Sequence, residues 1–375
     1  MTFARLGLVL SLTAPALARQ EPAPAAGAPD GSDARARLAA EERARYEALV
    51  QAVDRFGHAA EFESAARKLL AEKSDRFITV RDGWVTDVAL ENWLTWNAAK
   101  EGEATIPALD FKDPAHPFAA IVDLSRQLRS HGIDFLLVTF PTRPQLYPEF
   151  MLDLPSMDGF AGICPGTSKF VLALVDAGVD VLYLAPEFAA ARYGEGGDVK
   201  DQLFLRSNQH WSPRGAELAA RRVAERMAQY PWFKPGAAKE GVDWVVKEKE
   251  ADVGIVFGGG PKDAKPERLR VHAVVRPDRR KLDYSRPSSP IVLLSGSFAD
   301  FHRVTECDFT SQLYRFCGWP IDKVNPKGGV EDRCREALAA RPPEELAAKK
   351  LVIWMLAEQA FRPGPMWRTV QVFKE

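Results

Sequence analysis

The chain has 375 residues, 46% hydrophobic and 27% charged, a globular composition that excludes a collagen-like chain and argues against disorder throughout. Lys and Arg total 50 against 51 Asp and Glu, so the formal net charge of -1 lacks the global basic field that non-specific nucleic-acid binding uses. No nucleic-acid partner is expected, and the length suggests about two domains or one large domain with additions.

Arg5 precedes an apolar run, Leu6 to Leu17, that closes on the small-residue pattern Ala16-Leu17-Ala18. The run is too short to span ~30 Å of hydrocarbon as a helix. Residues 1–18 therefore read as a cleaved signal peptide, with a retained anchor as the alternative, and the mature chain is expected to be periplasmic or secreted. Residues 19–33 are rich in Pro, Ala and Gly without periodicity and read as a disordered linker. Residues 34–75 read as a helical N-terminal segment, in which Leu38, Tyr46, Leu49, Val50, Val53 and Phe56 recur at helical spacing. Gly57 is expected to divide it into two helices, and packing against the main domain is its expected role.

Residues 76–375 read as the main domain. Phe77–Val80 followed by Arg81-Asp82-Gly83-Trp84 predicts a hairpin, since Asp-Gly is a turn signal. Helices are predicted around 117–129, 166–177, 213–229 and 309–316. Apolar strands are predicted at 134–140, 179–184, 291–294 and 350–355. Residues 242–284 are β-prone, with a glycine turn at Gly258-Gly259-Gly260. Continuous apolar strands alternating with amphipathic helices predict an α/β fold with a parallel sheet flanked by helices. Such sheets bind ligands beyond the carboxyl ends of their strands, so the site should form after Phe140, Leu184, Leu294 and Met355.

Four cysteines follow the cleavage point: Cys164, Cys307, Cys317 and Cys334. In an oxidising compartment they permit two disulfides in any of three pairings, or they are buried thiols. No pair of His or Cys has ligand spacing, so neither metal nor cofactor is expected. The nine tryptophans suit either a core or a sugar-stacking platform.

Two places can carry chemistry. Ser295-Gly296-Ser297-Phe298 directly follows the strand ending at Leu294. A serine on such a turn projects its hydroxyl over the sheet edge, beside backbone N–H groups able to bind an oxyanion. Ser-Gly-Ser is also an ordinary turn sequence. The second place is Asn208-Gln209-His210-Trp211-Ser212-Pro213, just before a helix that Ser212 can cap. His210 is a candidate general base, because imidazole titrates near working pH. His302, five residues beyond Ser297, is an alternative base.

With these residues in place the chain resembles the SGNH-hydrolase-like domain of periplasmic alginate O-acetyltransferases. That family's D-x-H-W-[ST]-P-x-G-A motif appears as NQHWSPRGA, Asn208 to Ala216, and its G-[DT]-S-[FY] motif as SGSF, Ser295 to Phe298. DGW at Asp82–Trp84, GIDFLLVTFPTRPQLYP at Gly132–Pro148 and KKLVIWMLAEQAF at Lys349–Phe361 extend the similarity over roughly residues 75 to 365. Arg143 stands where the family usually has lysine.

The resemblance implies an O-acetyltransferase with catalytic residues Ser297, His210 and Asn208. Acetyl would pass through an acetyl-serine to hydroxyls of an exopolysaccharide, with a membrane-bound acyltransferase as acetyl source. Water as acceptor would make the same site a carbohydrate esterase. Asn208 replaces the family aspartate. In serine proteases the corresponding exchange lowers turnover by ~10⁴, whereas Cys-His-Asn enzymes use asparagine in that position. Three alternatives stay open: Asn208 suffices; another carboxylate, Asp201 or Asp300, substitutes; or the chain is a catalytically weakened polysaccharide-binding or assembly factor.

Overall fold

The structure, a computed structural model, describes residues 31–72, 78–80, 83–86, 88–100, 102–103, 105–152, 154, 164–193, 201–237, 244–253, 266–278, 285–326 and 329–373. The expected signal peptide and most of the expected linker lie outside these residues. The linker's last part does not: helix α1 spans Gly31–Phe56, so the helix starts before the boundary expected at residue 33. No proline follows Pro29 here, so nothing in the backbone forbids the earlier start. The chain breaks at Gly57 as expected and continues as α2 (Ala59–Glu72).

Strands β1 (Ile78–Thr79) and β2 (Val85–Thr86) form the expected antiparallel hairpin, with Ile78 opposite Thr86. Next come α3 (Val88–Asn97), α4 (Pro117–Ser130) and β3 (Asp134–Phe140). Two single-turn helices follow, α5 (Arg143–Leu146) and α6 (Pro148–Met151), each entered through proline. Then come α7 (Pro165–Asp176), β4 (Val181–Tyr183), α8 (Ala185–Ala191) and α9 (Pro213–Met227). Strands β5 (Val245–Val253) and β6 (Glu267–Val275) pair antiparallel as a separate ribbon. The predicted glycine turn at 258–260 lies outside the described residues. The chain ends with β7 (Ile291–Leu294), α10 (Phe309–Cys317), β8 (Asp322–Val324), α11 (Arg333–Ala339), α12 (Pro343–Ala347) and β9 (Leu351–Ala357).

The main sheet has order β4-β3-β9-β7-β8, with every neighbouring pair parallel. Central β3 and β9 pair from Asp134–Leu351 to Phe140–Ala357 and are apolar almost throughout. That pattern is what a sheet covered on both faces demands. Strand β8 was not expected, because Asp322 and Lys323 break the apolar run. Asp322 is tolerated there because Lys349 Nζ donates to it at 2.7 Å and Arg341 binds it through both guanidinium nitrogens.

Helix α1 belongs to this body. Its Tyr46 is fully buried, and the hydroxyl donates to Val181 O and accepts from Tyr183 N, both at 2.9 Å. One side chain thus satisfies the open hydrogen-bonding edge of β4, which would otherwise be exposed for pairing. Tyr46, with Phe62 and Ala66 of α2, shares the core of the sheet. All four cysteines are free and buried, so they are thiols rather than disulfides. Trp84, Trp93, Trp96, Trp211, Trp354 and Trp367 are buried, which assigns most of the tryptophan supply to the core.

Candidate active site

Strand β7 delivers Ser297. Ser295 N still donates to Val324 O of β8 at 3.1 Å, so the ladder runs to the turn itself. Ser297 then opens a 3-10 turn, Ser297–Ala299, and is exposed. Gly296 has φ -104°, and a Cβ there would meet Val330 at an ordinary 3.5 Å. Neither backbone nor space therefore demands glycine where the family motif carries aspartate or threonine.

His210 comes from a small hairpin instead. Phe204 and Trp211 bridge antiparallel, Leu205 N donates to His210 O at 3.1 Å, and Ser212 N donates to Leu203 O at 2.8 Å. The tip is Arg206-Ser207-Asn208-Gln209. Ser212 caps α9 by accepting from Gly215 N at 3.2 Å. A Cβ on Gly215 would sit 2.2 Å from Leu203 O, so the motif's glycine is required by this close approach.

The two places meet. His210 Nε2 lies 2.7 Å from Ser297 Oγ, and His210 Nδ1 lies 2.6 Å from Asn208 Oδ1. Asn208 Oδ1 also accepts from the His210 backbone N–H at 3.0 Å. Two donors thus hold the amide oxygen toward the ring. An amide oxygen only accepts, so Nδ1 carries the proton and Nε2 presents a lone pair to the Ser297 hydroxyl. This is the tautomer a general base needs.

Charge is what Asn208 does not supply. The imidazole is nearly buried, and its pKa is pushed down to about 3 by desolvation, with His302 and the Arg143 guanidinium adding to the effect. Phe301 stacks on the ring at 3.9 Å with planes 10° apart, and Phe298 packs at 4.6 Å. His210 is thus a neutral imidazole held by Asn208 on one nitrogen and by two phenylalanine rings.

The other candidates are occupied elsewhere. His302 Nε2 donates to Trp211 O at 2.8 Å, and burial lowers its pKa to about 4. It therefore supports the histidine hairpin and does not compete for Ser297. Asp201 pairs with Arg214 at 3.2 Å. Asp300 accepts from Lys323 and from Asn325 Nδ2. Neither carboxylate replaces Asn208 at Nδ1, where Asn208 itself sits.

The bracing roles of the residues around this arrangement carry no local sequence signal. Arg143 is buried after β3, and its Nη1 donates to Leu205 O at 3.0 Å and to Arg206 O at 2.8 Å. Gln145 Nε2 donates to Glu358 Oε2 at 2.6 Å, beyond the end of β9. Burial raises the Glu358 pKa to about 7. Arg143 was visible as a departure from lysine; Phe301 carried no motif signal.

Residues 92–358 match the family described as SGNH hydrolase-like domain, acetyltransferase AlgX. The chain belongs to this family. A protein named "Probable alginate O-acetylase AlgJ" from Pseudomonas fluorescens is 28% identical over 111 residues, 30% of this chain and 26% of its own. A protein of the same name from Pseudomonas syringae pv. tomato is 30% identical over 119 residues, 32% and 28% of the two chains. The matches thus span about a quarter of these curated relatives. The solved "O-Acetyltransferase Domain of Pseudomonas putida AlgJ" superposes with TM-score 0.55 at 17% identity, covering 77% of this chain and 93% of that one. That likeness shows the shared SGNH-like fold.

Proposed function

We propose that the chain is an O-acetyltransferase that moves acetyl through Ser297 to hydroxyls of an exported polysaccharide. The observation that carries this reading is the continuous hydrogen-bond line Asn208–His210–Ser297, with bonds of 2.6 and 2.7 Å. His210 Nε2 takes the Ser297 proton as Oγ attacks the acetyl carbonyl carbon. The tetrahedral oxyanion faces the Ser297 N–H, which opens a helical turn and so has no acceptor within it. Collapse breaks the bond to the donor's leaving group, which takes the proton from Nε2. A sugar hydroxyl then gives its proton to Nε2, attacks the acetyl-serine and displaces Oγ, which recovers the proton.

Membership of an acetyltransferase family and the alginate O-acetylase names of the relatives support a polysaccharide acceptor. A membrane-bound acyltransferase as acetyl source and a periplasmic location belong to the same reading. No helix among the described residues is long and apolar enough to cross a membrane.

The test uses p-nitrophenyl acetate and intact-mass analysis. The chain should gain one acetyl mass on Ser297, and Ser297→Ala should gain none. Equal labelling of the two would overturn the proposal. Adding an alginate oligosaccharide should move the label to sugar faster than acetate is released, which separates transfer from hydrolysis.

A further inference from the structure

Glu267 opens β6 and holds the loop that carries Asn208, although it lies far from both motifs in sequence. Its Oε1 accepts from Arg206 N at 2.8 Å, from Ser207 N at 3.2 Å and from Ser207 Oγ at 3.2 Å. Its Oε2 accepts from Gln202 Nε2 at 3.0 Å. Gln202 in turn lies at the foot of the histidine hairpin, where its carbonyl accepts from Ser212 Oγ at 2.6 Å. One carboxylate therefore grips the tip and the foot of the hairpin together. On the same turn, Arg143 and Val85 N hold the Leu205 and Arg206 carbonyls. The amides go to an anion and the carbonyls to a cation, so peptides 205–207 are fixed in orientation.

The strand period explains why Glu267 reaches this loop. Residues 267, 269 and 271 share one face of β6, and Leu269 and Val271 belong to the same small apolar cluster as Leu205 and Phe301. The ribbon therefore shares one apolar cluster with the residue preceding the tip and with the ring stacked on His210. Ser207 is the immediate neighbour of Asn208, whose amide must present its oxygen to Nδ1.

We propose that Glu267 is a positioning residue of this site: by fixing the Arg206 and Ser207 amides it keeps Asn208 Oδ1 on His210 Nδ1. A charged orienting residue is pulled to the imidazole by its own charge. A neutral asparagine has less such pull, so the backbone must aim it. The inference rests on Ser297 being the nucleophile, and the experiment separates the two.

The full chain is assayed as wild type, Glu267→Ala and Glu267→Gln. Burst acetylation of Ser297 by p-nitrophenyl acetate, steady-state kcat and KM, and the NMR resonance of the His210 Nδ1 proton are recorded. Misaligned reacting groups lose rate steeply, so Glu267→Ala should lower the burst rate and kcat about 10- to 100-fold, with KM within about threefold. Its Nδ1 proton signal should broaden or vanish through exchange with water. In Glu267→Gln the amide oxygen can still accept from Arg206 N and Ser207 N. That variant should stay within about fivefold of wild type and keep the proton signal, because the bonds that fix the tip amides persist. A Glu267→Ala chain that keeps both rate and proton signal overturns the inference, as does a Glu267→Gln chain that loses as much as Glu267→Ala. If wild type acquires no acetyl on Ser297, the functional reading fails, and the Nδ1 signal alone still decides the role of Glu267.

Discussion

Ser297 and His210 meet at 2.7 Å, yet opposite kinds of structure deliver them. Ser297 follows a fully buried strand paired on both sides, and backbone hydrogen bonds run to the residue before its turn. His210 sits on a short hairpin outside the sheet, and side chains locate it: Asn208 on Nδ1, Phe301 on the ring face, Arg143 beneath the tip. Backbone ladders tolerate side-chain exchange, whereas side-chain braces do not. Substitutions remote from the reacting atoms should therefore damage the base far more than the nucleophile.

The largest effect should come from removing the base itself. His210→Ala should slow Ser297 acetylation about 10³-fold, within the range that positioned proton transfer supplies. A smaller loss, measured by mass labelling under single-turnover conditions, would mean that Ser297 is activated otherwise. Next comes the brace. Arg143→Ala strands the buried Leu205 carbonyl, while Val85 N still serves that of Arg206, and should cost about 1–3 kcal/mol of stability by denaturant titration. Its acetylation should fall about 10- to 100-fold through misalignment. If it leaves the acetylation rate unchanged, the histidine hairpin is positioned by its own backbone, and the contrast between the two regions fails.

A gain is expected in the other direction. Asn208→Asp places a negative charge on Nδ1, stabilising the imidazolium that forms during transfer, and should raise acetylation about tenfold. The pH dependence carries the sign. The wild-type imidazole, with a pKa near 3, stays unprotonated down to acidic pH, so its rate should be flat from pH 8 to about pH 5. The aspartate raises that pKa, so the variant's rate should begin to fall at higher pH than wild type. An unchanged profile would show that another group governs the ring. The smallest effect belongs to the stacking partner. Phe301→Leu keeps the volume apolar but removes ring stacking worth about 0.5–1.5 kcal/mol, so a rate loss of about three- to tenfold is expected.

Much of the fold could be read from local pattern. Strands β3, β7 and β9 are runs that only a doubly covered parallel sheet explains, and helix α9 begins at the Ser212-Pro213 signal. Strand β8 escaped because Asp322 and Lys323 look solvated until Lys349 and Arg341 arrive from later in the chain. The site divided in the same way. The contact of Asn208 with His210 is an interaction two residues apart, in which one oxygen bonds the backbone N–H and the ring of the same residue, and such turns are encoded locally.

The sequence by itself therefore determined the α/β class and the two motif loops, because each depends on neighbours within a turn or on strand periodicity, and left Asn208, Asp201 and Asp300 open as partners of His210. Only the tertiary structure decided that Ser297 and His210, 87 residues apart, share a hydrogen bond, that Asn208 sits on Nδ1, that Phe301 stacks on the ring, and that Arg143 and Glu267 bond the backbone of the hairpin tip. It also decided that Tyr46 closes the edge of β4, making α1 part of the domain. Those contacts follow from which strands lie side by side and which loops the sheet brings to one end. That order arises from packing the whole core, to which no local window of sequence has access.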